Sequence, residues 1–193
     1  MAGALALLAT ATCTAAAQQS PSGTAPLASR AHPADVAFMS GMIAHHAQAV
    51  LMAGWAPTHG ASQSVRALCE RIVVGQHDEI VLMQRWLRDR HEEVPDGDAS
   101  HDMMPDMPGM DHMLMPGMLS AEQLTELDQA RGPEFDRLFL DYMIMHHNGA
   151  ITMVNQLFGS QGAGEEEMVY RFASDVYADQ TTEIDRMQKM LIA

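Results

Sequence analysis

The sequence predicts an all-α fold in which two repeated helical hairpins, four long helices in all, are joined by a long methionine-rich crossover. Three observations predict it. First, the segment from Asp35 to Met52 reappears from Asp136 to Met153. The pairs Asp35/Asp136, Phe38/Phe139, Met42/Met143, Ile43/Ile144, His45/His146, His46/His147, Ala49/Ala150 and Met52/Met153 match at a constant offset of 101 residues. Second, each copy is followed by a partner: Ile72, Gln76, Glu79, Ile80, Met83 and Leu87 correspond to Val176, Gln180, Glu183, Ile184, Met187 and Leu191 at an offset of 104. The three extra residues fall in a connecting loop, and the whole reads as an internal duplication. Third, Phe38, Met42, His45, Ala49 and Met52 recur at spacings of 4, 3, 4 and 3, which places them on one stripe of an α-helix.

The elements follow in order. Residues 1–17 are small or apolar, and Ala15-Ala16-Ala17 supplies a cleavage pattern, so they read as an export signal although a basic start is lacking. Cys13 only loosely fits a lipoprotein site, so a periplasmic or secreted product is expected in place of an anchored one. The stretch is too short for a membrane span. Residues 18–32, rich in Gln, Ser, Pro, Gly and Ala, read as a flexible leader. The domain proper covers 33–193, with repeat one at 33–92, the crossover at 93–119 and repeat two at 120–193. Asp35 is a candidate cap for helix one, which Pro57 and Gly60 end. Helix two is expected from about Ser62 to His91, helix three from Pro133 to about Phe158 and helix four from Glu165 to the C-terminus. A short helix, Ala121 to Ala130, capped by Ser120, precedes helix three. Two short hairpin connections and one long crossover give the bundle a ferritin-like character.

Composition narrows the function. The formal net charge of −14 disfavours nucleic acid and favours cations. Methionine reaches 18 residues in a chain of 193 with only 5% aromatics. Thioethers fill irregular core gaps, but they are also soft ligands that select Cu(I). If Cys13 leaves with the signal, Cys69 is the one thiol, and its apolar neighbours make it a small core residue.

Each first helix carries Met-x-x-His-His-x-x-Ala-x-x-Met, as Met42, His45, His46, Ala49 and Met52 and again as Met143, His146, His147, Ala150 and Met153. Residues three apart sit one turn from each other, so one imidazole and one thioether can share an ion. Adjacent histidines diverge by about 100° on a helix, so one is expected to face the bundle and the other its flank. Met83 and Met187 can add a further sulfur. Such methionines also serve as core filler, whereas a repeated buried histidine pair needs a partner. Asp35 and Asp136 fit helix capping at least as well as ligation, and Gln-x-x-Glu fits either support of a histidine ligand or a hydrogen-bond pair. His32, His59, His77 and His91 read as surface residues, with His32 able to join a copper(II) site.

The crossover holds His101, Met103, Met104, Met107, Met110, His112, Met113, Met115 and Met118 among Pro, Gly and Asp, which oppose regular structure. So many thioethers in a loop have no packing purpose, and they can wrap Cu(I) without a preformed cage.

The duplicated Asp-x-x-Phe…Met-Ile-x-His-His-x-x-Ala-x-x-Met signature, with Gln-x-x-Glu-Ile-x-x-Met after it, resembles the bacterial domain of unknown function family 305, which includes CopM-type periplasmic copper-binding proteins. The resemblance covers almost everything after residue 33. It implies a ferritin-like helical bundle that binds copper or silver through Met and His, and it carries onto Met42, His45, His46, Met52, Met143, His146, His147 and Met153. The leading expectation is thus an exported, non-catalytic protein that sequesters or transfers Cu(I), with Ag(I) and Cu(II) as related cargo and another periplasmic copper carrier or exporter as partner. Two alternatives stand beside it. One is a ferritin-like metalloenzyme such as a metal oxidase, although no Glu-x-x-His pair of the di-iron kind is present. The other is a metal-free helical bundle that binds a protein partner.

Overall fold

The computed structural model describes residues 31–98 and 115–192. The signal segment 1–17, most of the leader, Cys13 and the crossover residues His101, Met103, Met104, Met107, Met110, His112 and Met113 lie outside the described residues. Among the described residues there are five helices and no strand: α1 (Pro33–Gly54), α2 (Gln63–Asp89), α3 (Ala121–Gln129), α4 (Pro133–Gly159) and α5 (Glu167–Leu191).

Local chemistry sets the ends. α1 and α4 both begin on a proline, whose fixed φ suits a first helical position. α1 is capped by His32, whose Nδ1 accepts the Ala34 N–H at 3.2 Å, and not by Asp35. α2 starts on the Ser62 hydroxyl, and α3 has the full capping box of Ser120 and Gln123 that its sequence announces. α2 stops two residues before the expected end because His91 adopts φ 58° and the N–H groups of His91 and Glu92 turn back to the carbonyls of Arg88 and Leu87.

Packing follows the duplication. α1 lies on α2, α4 lies on α5, and the two hairpins meet through α1 and α4. One apolar cluster joins the early half of α1 and the late half of α2 with the late half of α4 and the early half of α5. The other joins the late half of α1 and the early half of α2 with the early half of α4 and the late end of α5. The hairpins therefore run antiparallel, as a two-fold arrangement requires. α1 is long and apolar enough to cross a membrane, but here it is a core helix packed on both α2 and α4.

Asp35 and Asp136 serve the interface between the hairpins. Asp35, 3% exposed, accepts the N–H of Gly164 at 2.7 Å, in the loop before α5. Its counterpart Asp136 accepts the N–H of Ser62 at 3.1 and 3.2 Å, at the start of α2. Each aspartate thus holds the turn of the opposite hairpin. His59 departs from its expected surface role for a related reason: it is 5% exposed and bonds Asp128 in the last turn of α3.

The end of the crossover is strapped across α1 and α4. Gln48 clamps Leu119 on both sides, accepting its N–H at 2.8 Å and donating to its carbonyl at 3.2 Å. Gly117, at φ 78°, turns the chain against α4, where a Cβ on Gly149 would meet the Pro116 carbonyl oxygen at 1.9 Å. Backbone cannot yield that distance. Gly149→Ala should therefore cost about 2–4 kcal/mol in urea unfolding, the range of overpacked or disrupted core sites. Gly75→Ala, whose Cβ meets nothing within 4 Å in mid-helix, should instead stabilise by about 0.5–1 kcal/mol. Equal effects of the two substitutions would show that the strap is not seated at Gly149.

Candidate metal centre

All four histidines of the two His-His pairs are buried, with exposures of 0% for His45, His46 and His147 and 1% for His146. The expectation that one of each pair would face the flank is corrected. α1 and α4 are each covered on two sides, by their own hairpin partner and by each other, so the buried arc is wide enough to hold both rings. His45 and His146 point at one another across the α1–α4 contact, with ring centroids 3.8 Å apart. His46 and His147 point toward the second helices, where His46 Nε2 lies 2.7 Å from Glu79 Oε2 and His147 Nε2 lies 2.7 Å from Glu183 Oε2. The Glu of the repeated Gln-x-x-Glu is thus the support of a histidine.

These contacts decide which nitrogen is open. A carbonyl oxygen only accepts, so His45 donates from Nε2 to the Pro116 carbonyl at 3.0 Å and keeps its Nδ1 lone pair bare. The carboxylates orient His46 and His147 in the same sense, since each ring donates from Nε2. The Nδ1 atoms of all four rings, and Nε2 of His146 as well, are buried without a hydrogen-bond partner. Burial first, then the neighbouring His46, push the pKa of His45 down to about 3. Burial, followed by His45, His147 and His46, drives that of His146 well below the ordinary value. His147 is lowered too, by burial, against the raising influence of Glu183. His45, His146 and His147 are thus held toward the neutral, Lewis-basic form.

An orphaned buried acceptor costs about 1–3 kcal/mol, so several together cost a sum comparable with the net stability of a domain. Such a set suits a ligand that takes lone pairs. Among the described residues no three His, Cys, Asp or Glu side chains converge on one point, as a zinc or di-iron site would need. The remaining donors near the imidazoles are thioethers. Met42, Met83 and Met153 share the first cluster, and Met52, Met143 and Met187 share the second, with exposures between 0 and 8%. Each trio takes two methionines from one repeat and its third from the other. Buried thioethers of this kind are soft donors, the type that Cu(I) or Ag(I) takes.

Of the crossover methionines, Met115 reaches the first cluster, where its sulfur lies 3.2 Å from the position a Gly41 Cβ would take and the Met153 methyl lies 3.4 Å from it. Met118 closes the turn by donating its N–H to the Met115 carbonyl, and its half-buried side chain joins neither cluster. Sequence reasoning missed Met39, fully buried in the first cluster, because its counterpart Leu140 hid it from the repeat comparison. It also missed the Gln48 clamp and the Gly149 slot; a glycine inside an apolar helix was the available signal. Cys69 is a buried free thiol, as expected, and burial with the nearby Asp136 raises its pKa to about 12.

Neutral burial has a signed consequence. The unfolded chain binds protons on these imidazoles below pH 6.5, while folded His45 stays neutral down to about pH 3. Stability is therefore full above pH 6.5 and falls as the pH drops below it, by about 1 kcal/mol per pH unit for each such ring. Urea unfolding at pH 7 and pH 5 checks this. A midpoint that stays level or rises at pH 5 would refute the neutral rings.

The sequence profile of the family described as Domain of unknown function (DUF305) matches residues 35–191. Among solved structures, a DUF305 fragment from Deinococcus radiodurans is 27% identical, covering 83% of this chain and 97% of its own, with a TM-score of 0.68. CopM in its Cu(II)-bound form is 28% identical over 81% of this chain and 95% of its own, with a TM-score of 0.63. CopM in its Cu(I)-bound form is 25% identical over 81% and 94%, with a TM-score of 0.60. No curated protein sequence matches the chain. With the profile spanning both hairpins, this chain belongs to the DUF305 family.

Proposed function

We propose that this protein is an exported copper-binding protein, which sequesters or transfers Cu(I), and with it Ag(I), through paired imidazole and thioether donors in copper tolerance. The observation that carries the reading is the set of Nδ1 atoms buried without a hydrogen-bond partner in a core that also holds the two methionine trios. Each trio, with the adjoining imidazoles, holds one soft ion. The ligands are Met42, Met83 and Met153 with the first cluster, Met52, Met143 and Met187 with the second, and His45, His46, His146 and His147 between them. Met115 adds a further sulfur to the first cluster, and His101, Met103, Met104, Met107, Met110, His112, Met113 and Met118 of the crossover give further, looser capacity.

Support comes from CopM, which has been solved with Cu(I), Cu(II) and Ag bound. The residue pattern of 1–17 supports export to the periplasm or beyond, where a copper carrier or exporter is the partner for handover. The two-hairpin body is a ferritin-like four-helix bundle used for storage instead of oxidation. In a di-iron oxidase the carboxylates ligate the ions, whereas Glu79 and Glu183 here are engaged by the rings of His46 and His147.

Anaerobic Cu(I) titration against a chromophoric chelator tests the proposal. Leucine is close to methionine in volume, so Met42/Met83/Met153→Leu should fold, with a stability change under about 1.5 kcal/mol per substitution. It should lose one tight equivalent of Cu(I), and Met52/Met143/Met187→Leu should lose the other. The His45/His46/His146/His147→Ala variant should lose both. Wild-type stoichiometry and affinity in all three variants would reject the helical sites.

A further inference from the structure

Two glycines lie one turn from the facing histidines: Gly41 precedes His45 by four residues on α1, and Gly149 follows His146 by three on α4. Neither has a side chain with which to cover the seam where the two rings meet. The strap, residues 115–119, covers it in their place. The Met115 sulfur lies 3.2 Å from the position of a Gly41 Cβ, the Pro116 carbonyl oxygen lies 1.9 Å from that of a Gly149 Cβ, and a Cβ on Gly117 would meet the Met145 carbonyl oxygen at 2.6 Å. The same Pro116 oxygen accepts from Nε2 of His45. Below it His45 and His146 are sealed, whereas the strap from Met115 to Met118 is half-buried and forms the outer layer.

We propose that the strap is the gate through which a soft cation reaches and leaves the His45–His146 pair, and that Gln48 is its latch. The inference rests on the copper reading for what passes through, and on the geometry of the strap for what moves. Helices wall the pair elsewhere, and each helix satisfies its own backbone. The strap is tied to the bundle by the two Gln48 bonds to Leu119, by the His45 bond to Pro116 and by the burial of Leu119. Segments held by so few bonds open locally at lower cost than packed helices. Lifting residues 115–119 breaks the Gln48 and His45 bonds together, and the bare positions 41 and 149 then leave the seam open down to the two rings. His46 and His147 are turned instead to Glu79 on α2 and Glu183 on α5, so the same movement leaves them covered. The Met115 sulfur travels with the strap and puts a soft donor at the entrance.

The metal-free full chain gives the first test, with diethyl pyrocarbonate, which acylates an accessible neutral imidazole. Gln48→Leu removes both latch bonds, and Leu119→Ala shrinks the buried anchor. In each variant, mass spectrometry should find His45 and His146 labelled about tenfold faster than in the wild type, the effect of roughly 1.4 kcal/mol, with His46 and His147 unchanged. Val169→Ala, a core truncation on α5, where the strap is not seated, should leave all four rates as they were; this separates opening of the strap from a general loosening of the bundle. The Cu(I)-loaded chain gives the second test. Mixed with excess chromophoric chelator, both strap variants should show the slowest phase of release quickened by a like factor, while the number of equivalents bound stays that of the wild type. A chain that takes up no Cu(I) but shows the labelling difference loses the copper reading and keeps the gate. Labelling of His45 and His146 no faster in Gln48→Leu and Leu119→Ala than in Val169→Ala, or a release rate that neither strap variant changes, overturns the proposal.

Discussion

Two imidazoles facing each other at 3.8 Å, with no charge and no water-facing edge, form the contact on which α1 and α4 meet. Charged rings at that distance would repel and would each carry the cost of burial, so this contact exists only while the histidines are neutral. Burial secures that neutrality. The Pro116 carbonyl accepts a hydrogen bond from Nε2 of His45, and Glu79 and Glu183 accept from Nε2 of His46 and His147. What holds the rings in place is also what leaves their Nδ1 atoms free, so stability and ligand basicity have one source.

A single hairpin could not make this centre. Met42 and Met83 of the first repeat are completed by Met153 of the second, and Met143 and Met187 of the second by Met52 of the first. The His45–His146 contact likewise needs one ring from each repeat. Asp35 and Asp136 impose the antiparallel register, because each reaches a loop N–H of the other hairpin. Duplication here is the condition for the site and not a doubling of something already whole.

Periodicity and repetition carried the helices and the cap at Ser120, because these are local or are written twice. Side-chain direction was less accessible. A 3.6-residue period separates His45 from His46 by about 100°, but it does not say how much of the helix circumference will be covered. That depends on α2 and α4 both packing on α1, a tertiary fact. The role of Asp35 was hidden for the same reason: its position ahead of an apolar stripe fits a cap, and only the fold brings Gly164 within 2.7 Å of it. That methionines of the two repeats share one core cluster was equally out of reach, since sequence spacing reports neighbours along a helix and not across one.

The two halves of the centre differ on the side where the strap lies. At the offset of 101 residues, Gly41 corresponds to Tyr142 and Gln48 to Gly149. Gly41 leaves room that the Met115 sulfur fills, whereas Tyr142 directs its hydroxyl to Glu126 of α3. Gln48 grips Leu119, and Gly149 admits the Pro116 carbonyl. One departure from the repeat makes a socket for the strap, and the other makes its clamp. The strap then delivers a thioether to the first cluster and the buried, sulfur-free Leu119 to the second. Two halves that begin as copies therefore end with unequal sulfur, since Met115 packs against the first cluster and Leu119 enters the second.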